Sequence, residues 1–311
     1  DWKNRSRFFN MVSMGLSANY HWYKRETAQH DLTLFSLDFD KLNHTTHTFD
    51  SIMNANPALY VSMRDQFVPS LSYSFTYQSR SWRTNPWWVQ LSFKEAGNIT
   101  SAIYAAAGQK LNKKNKELFG NPFAQYVKFT AEAHKLFKLT KDINIATRVF
   151  GGIIYSYGNS NSAPYVDQFY VGGANSVRAF TVRSLGPGSY RPVNSKYSYM
   201  DQTGDVKLEA NAELRARLIG DLHGAIFLDA GNVWTLRNDP MRPGSQITTS
   251  TIKHIALGTG AGLRYDLNFL VLRFDVGIAL HAPYQTAKSG FYNIEHFKDG
   301  LGLHFAIGYP F

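Results

Sequence analysis

Three charged side chains carry the clearest chemical prospects in this sequence, and the chemistry they suggest is electrostatic. Arg178 lies in a long glycine-rich stretch, and its guanidinium is a planar fork whose donors match carboxylate oxygens. Glu213 sits in a run of alternating polar and apolar residues, and Asp229 is the only charge between Ala225 and Trp234. On pattern alone all three could equally be ordinary solvated charges. Motifs for covalent chemistry are missing: there is no Gly-x-Ser-x-Gly elbow and no His-Glu-x-x-His pair. The ten histidines, His44, His47 and His134 among them, show no ligand spacing, so no metal is expected. Ser70, Ser72 and Ser74 form a plain stripe along one strand face, and Gly172-Gly173 opens no phosphate-binding loop. Neither an enzyme nor a bound cofactor is expected.

The elements that must position these groups read as strands. Val206, Leu208, Ala210, Ala212, Leu214, Ala216 and Leu218 alternate with Lys207, Glu209, Asn211, Glu213, Arg215 and Arg217. At period two, this gives a strand whose two faces meet different solvents. At roughly 3.3 Å per residue, it is longer than most soluble strands. Leu270 to His281 repeats the pattern, with Arg273 and Asp275 opposite Leu272, Phe274 and Val276. Such a charged face cannot be a dry core. It fits the hydrated interior of a membrane barrel whose aliphatic face meets lipid.

Composition agrees with that choice over a soluble β-sandwich. The 311 residues include 18 Tyr and 22 Phe and no Cys. No run of about 18 uncharged apolar residues offers a membrane helix, which leaves closed strands as the way to satisfy backbone groups in lipid. The net charge of +10 is spread rather than clustered, so no nucleic acid is expected as a partner.

The same rule places strands near Phe9 to Trp22, Leu32 to Asp40, Val68 to Gln78, Trp87 to Lys94, Ala124 to Phe137, Ile143 to Tyr155, Ala225 to Trp234, His254 to Asp266 and Leu303 to Phe311, eleven with the two above. Connectors alternate between short and long, the longest being Ser156 to Asp205, as in bacterial outer-membrane barrels. Because such barrels close with an even count, the odd number predicts either one further strand, making 12, or strands missing at the N-terminal side, with Asp1 entering in mid-barrel and Phe311 at the periplasmic rim. Within Ala96 to Phe119, the spacing of Ile103, Tyr104, Ala107 and Leu111 predicts a short amphipathic helix.

The run Phe169-Tyr170-Val171-Gly172-Gly173-Ala174-Asn175-Ser176-Val177-Arg178-Ala179-Phe180, followed by Ser184-Leu185-Gly186-Pro187-Gly188, resembles the signature loop of the BamA/TamA superfamily. Asn211 to Arg215, Phe227 to Trp234 and the terminal aromatic strand reinforce the resemblance, which runs from about Gln125 to Phe311 and more loosely from Phe67. Asp167-Gln168-Phe169 gives it a Bacteroidota-like style. Ala179 departs from the usual Gly, which bears on tip geometry if that site needs a positive φ.

The resemblance implies an all-β transmembrane antiparallel barrel of about 16 strands. Residues 1–311 would be its C-terminal part, without the first strands and the periplasmic domains. It implies that loop 156–205 folds into the lumen, where Glu213 and Asp229 hold Arg178. Gly308 falls where the family's last strand kinks, and Pro310 removes a ladder donor ahead of the closing Phe311. That implies a weak seam serving as a lateral gate, the alternative for Gly308 being plain relief of crowding. The implied function is insertion and folding of β-barrel proteins in a Gram-negative outer membrane. Its partners would be unfolded outer-membrane protein clients, outer-membrane lipid, and accessory lipoproteins or periplasmic subunits, with no cofactor. A TamA-like translocation module for surface proteins and a two-partner-secretion transporter are the alternatives.

Overall fold

The computed structural model describes residues 2–5, 9–55, 60, 63–80, 83–110, 115–192 and 202–311; Asp1 and Leu111 lie outside them. Twelve strands share one sheet in the order β1 (Trp2–Arg5), β2 (Phe9–Tyr23), β3 (Ala28–Thr45), β4 (Gln66–Gln78), β5 (Trp87–Ala96), β8 (Tyr126–Lys138), β9 (Ile143–Ser156), β10 (Val206–Ile219), β11 (Leu222–Trp234), β12 (Ala256–Asp266), β13 (Val271–His281) and β14 (Leu301–Ile307). The pairs β1–β2 and β2–β3, and each neighbouring pair from β10 to β14, are antiparallel. A separate two-stranded hairpin joins β6 (Glu117–Leu118) to β7 (Asn121–Pro122). Helices α1 (His47–Ala55) and α2 (Asn98–Ala106) lie in connections. Among the described residues, no helix is long and apolar enough to cross a membrane.

Contacts divide the chain into two compact units, one of residues 1–76, 91–130 and 153–168, the other of residues 77–90, 131–152 and 169–311. In the first, β2 and β3 form a long hairpin whose register runs from Phe9↔Thr45 to Tyr23↔Gln29. The side chains of Phe49, Met53 and Met63 are buried there.

In the second unit, the usual burial pattern is inverted. On β10 to β14 the side chains of Leu214, Ile226, Leu228, Phe274, Leu303 and Phe305 are exposed, whereas Glu209, Glu213, Asp229, Arg264, Arg273 and Asp275 are buried. Phe305 is 71% exposed and Glu213 0%. Exposed apolar surface on that scale is unfavourable in water by about 25 cal/mol per Å² and suits strands whose outer face meets hydrocarbon.

Several elements differ from those expected. The four residues of β1 are too few to show alternation, so the strand is invisible in the sequence. β14 stops at Ile307 rather than Phe311, because Gly308 takes a φ of +87° and turns the chain after its N–H donates to the Val271 carbonyl at 2.7 Å. Helix α2 ends before Ala107, short of the predicted periodic run.

Candidate functional site

The connection from β9 to β10 carries the glycine-rich run, and its tip is a tight hairpin-like turn. The Gly173 N–H donates to the Phe180 carbonyl at 2.8 Å, and the Arg183 N–H to the Val171 carbonyl at 3.0 Å. Gly172 and Gly173 have φ of +100° and +97°; a Cβ would strike the Thr181 carbonyl at the first and the Val182 side chain at the second, so both positions require glycine. Val177 and Phe180 are buried beneath the turn. Ala179 is not among the residues with positive φ, so its departure from glycine carries no backbone strain.

The tip rests on a row of residues that register aligns across five strands. Glu213 of β10 faces Phe227 of β11, which faces Gly260 of β12, then Gly277 of β13, then Gly302 of β14. A carboxylate and a ring thus give way to three glycines, forming a trough. The Arg178 side chain lies along it, with its guanidinium carbon 3.5 Å from the centroid of the Phe227 ring. Its backbone lies over the glycines: a Cβ on Gly277 or Gly302 would collide with the Arg178 carbonyl, and one on Gly258 would come within 2.6 Å of the Ala179 methyl.

At the charged end of the trough, Arg178 is held by two carboxylates. Its Nε donates to Asp229 Oδ2 at 2.8 Å, its Nη2 to Asp229 Oδ1 at 2.9 Å, and its Nη1 to Glu213. The Arg178 backbone N–H also donates to Asp229 Oδ2, at 3.1 Å. Glu213 serves two further arginines, accepting from Arg215 Nε at 2.8 Å and from Arg264 Nη2 at 2.9 Å. Arg264 continues to Asp275 at 2.5 Å. The side chains of Arg178, Arg264, Glu213, Asp229 and Asp275 are fully buried. Removing one partner from such a cluster strands a charge and costs about 3–5 kcal/mol.

Other contacts fix the flanks of the tip. Ser176 Oγ donates to Glu209 at 2.6 Å, Arg273 donates to the Asn175 side chain at 2.5 Å, and Arg148 donates to the Asn175 carbonyl at 3.1 Å. Gly186 and Pro187 are buried where the returning limb meets β11. There the Gly188 N–H donates to the Val233 carbonyl at 2.7 Å, and Asn232 donates to the Gly188 carbonyl at 2.9 Å. Within the first unit, Asp167 at the start of the loop accepts from Lys94 Nζ at 3.1 Å and from Tyr126 Oη at 2.6 Å, and its backbone carbonyl accepts from Lys128 at 2.7 Å. Burial works against the Asp167 charge, but Lys94, Lys128 and the Tyr126 hydroxyl outweigh it and hold this carboxyl below its ordinary range.

Gly308 and Phe311 lie apart from Arg178. The segment after Gly308 runs back over the covered face, where the Phe311 carbonyl accepts from Arg215 Nη2 at 3.2 Å and its ring meets His134 edge-on at 6.2 Å. Sequence reasoning missed Arg264 as a partner of Glu213, His304 beside the tip, and the glycines of the trough. A signal was present in Gly258, Gly260 and Gly262, which share one face of β12 and mark close approach of another backbone. The arrangement holds a loop tip against a wall by charge and shape.

The Omp85 superfamily domain matches residues 3–311. The outer membrane protein assembly factor BamA of Neisseria meningitidis serogroup B is 32% identical over 115 residues, 35% of this chain and 14% of that protein. The sorting and assembly machinery component 50 homolog A of Xenopus laevis is 31% identical over 174 residues, 52% of this chain and 36% of that protein. Among solved structures, BamA from Haemophilus ducreyi lacking POTRA domains 1-3 superposes with a TM-score of 0.63 at 17% identity, covering 97% of this chain and 54% of that one. CdiB from Escherichia coli gives 0.57 at 14% identity, covering 96% and 45%. The chain therefore spans about half or less of each of these relatives.

Proposed function

Since the chain belongs to the Omp85 superfamily, we propose that it supplies the membrane barrel of an outer-membrane assembly factor, which inserts and folds β-barrel proteins at a seam beside β14. The observation that carries this reading is the pairing of a firmly seated loop tip with a short terminal strand. Arg178 is locked into a fully buried ionic cluster, while β14 has only seven residues and its pairing stops at Gly308. A strand that short at the end of a sheet offers unpaired backbone groups to an incoming strand, and a short hydrophobic span thins the adjacent bilayer. Such a device needs no cofactor and no covalent intermediate. Its partners are unfolded barrel proteins, the lipid of a bacterial outer membrane, and accessory subunits on the periplasmic side.

The test is a strain depleted of the wild-type protein and supplied with Arg178→Ala in the full-length chain. Folded variant accompanied by falling levels of outer-membrane barrel proteins supports assembly; unchanged levels overturn it. The likeness to CdiB keeps a two-partner-secretion transporter as the second reading, and a TamA-like translocation module shares the same barrel. Loss of one exported surface protein, with other barrel proteins at normal levels, would favour these over general assembly.

A further inference from the structure

The loop tip touches the terminal strand directly. His304 of β14 lies with its Nε2 2.7 Å from the Arg178 carbonyl, across 126 residues of sequence. A carbonyl only accepts, so Nε2 carries the hydrogen and donates. Two residues earlier on the same face, Gly302 leaves the space that the Arg178 carbonyl fills, and any side chain there would expel it. The carbonyl of Arg178 is thus seated on β14, while its N–H and guanidinium are bound to Asp229 of β11 and Glu213 of β10. One residue ties the last strand of the sheet to strands three and four places away.

We propose that the loop tip is a clamp on β14, with His304 and Gly302 as its positioning residues, so that seating of the tip and freedom of the terminal strand are a single equilibrium. This rests on the reading of β14 as the working seam and adds what controls it. β14 is bonded to β13 along seven register pairs, from Leu272↔Ile307 to Ile278↔Leu301. Besides that ladder, the contacts of Gly302 and His304 with Arg178 tie its covered face to the loop tip. With the tip seated, β14 cannot move away without breaking the His304 hydrogen bond and lifting off the Arg178 carbonyl. With the tip released, β14 keeps its ladder to β13 and the hold of Arg215 on the segment beyond Gly308. The clamp also explains why the tip stands on glycine at three successive strands: the closer the Arg178 backbone lies to the wall, the shorter the reach from His304.

The test is amide hydrogen exchange on the full-length protein purified in detergent or nanodiscs, with folding checked by heat-modifiable migration. His304→Ala should speed exchange of the amides in residues 301–307 by about fivefold, the equivalent of one lost hydrogen bond, while amides of β10 and β11 away from Asp229 stay unchanged. His304→Gln, whose Nε2 can still donate, should restore protection. Gly302→Val should expose the Arg178 amide and the 301–307 amides together. Wild-type exchange in His304→Ala would overturn the clamp, as would His304→Gln exchanging as fast as His304→Ala. Release of the tip in Gly302→Val with β14 still fully protected would overturn it too. No client enters this measurement, so a failure of the assembly reading leaves its result standing, and a failed clamp leaves the depletion test intact.

Discussion

Arg178 and Asp229 form a two-point fork, Nε to Oδ2 at 2.8 Å and Nη2 to Oδ1 at 2.9 Å, and the same Oδ2 accepts the Arg178 backbone N–H. Asp229 therefore fixes both the side chain and the main chain of the loop tip. An ammonium cannot reproduce that fork and also reach Glu213. Arg178→Lys should keep the barrel folded but loosen the tip by about 2–4 kcal/mol, read as faster proteolysis of the loop under native conditions, with Arg178→Ala at least as severe.

Glu213 is shared by Arg178, Arg215 and Arg264. Glu213→Gln keeps the shape and leaves three guanidinium groups facing one neutral amide. Thermal unfolding should shift down by the equivalent of about 3–5 kcal/mol. Combining it with Arg264→Gln should cost less than the sum, with a coupling of about 0.5–3 kcal/mol in a double-mutant cycle; strict additivity would show that the two residues do not share the load.

Gly277 lies directly under the Arg178–Ala179 peptide, whereas a Cβ on Gly151 would meet only Leu208 at 3.8 Å. Gly277→Val should displace the tip and mimic loss of Arg178 in the depletion strain. Gly151→Ala should stay within about 0.5 kcal/mol of wild type.

Asp167 tests the base of the loop by pH. Its folded carboxyl titrates below the ordinary range, so its contribution is fully present above the unfolded value of about 3.9 and is lost as pH falls through the lower folded value. Protection of the segment around Asp167 should thus be flat from neutral pH down to about 4 and fall only below that. Asp167→Asn should lower it from neutral pH down to about 4 and bring it level with wild type in stronger acid, and an equal loss of protection on acidification in Asp167→Asn would assign the effect to other groups.

Alternation made the strands legible because the two faces of each strand meet different surroundings, which is why Val206 to Leu218 could be read almost residue by residue. The same rule shows which residues share a face but not which strand positions stand opposite one another. The row from Glu213 to Gly302 exists only once register is set, and no single strand encodes it. Gly277 and Gly302, read singly, look like weak points in strands; their role depends on a loop arriving from about a hundred positions earlier in the chain. The end of β14 misled for a related reason. Tyr309 and Phe311 continue the aromatic alternation, and only the positive φ at Gly308 reveals that the ladder has already stopped.

The 126-residue separation between His304 and Arg178 also bears on the order of folding. Contacts of such long range close large loops and form slowly. The tip brings Arg178, one of the five buried charges, to the other four, Glu213, Asp229, Arg264 and Asp275, which stand on β10 to β13. A chain whose β14 docks ahead of the tip would hold an empty trough and an Asp229 without its guanidinium, while Glu213 keeps Arg215 and Arg264, so the meeting of these two elements is expected to be slow compared with closure of a hairpin.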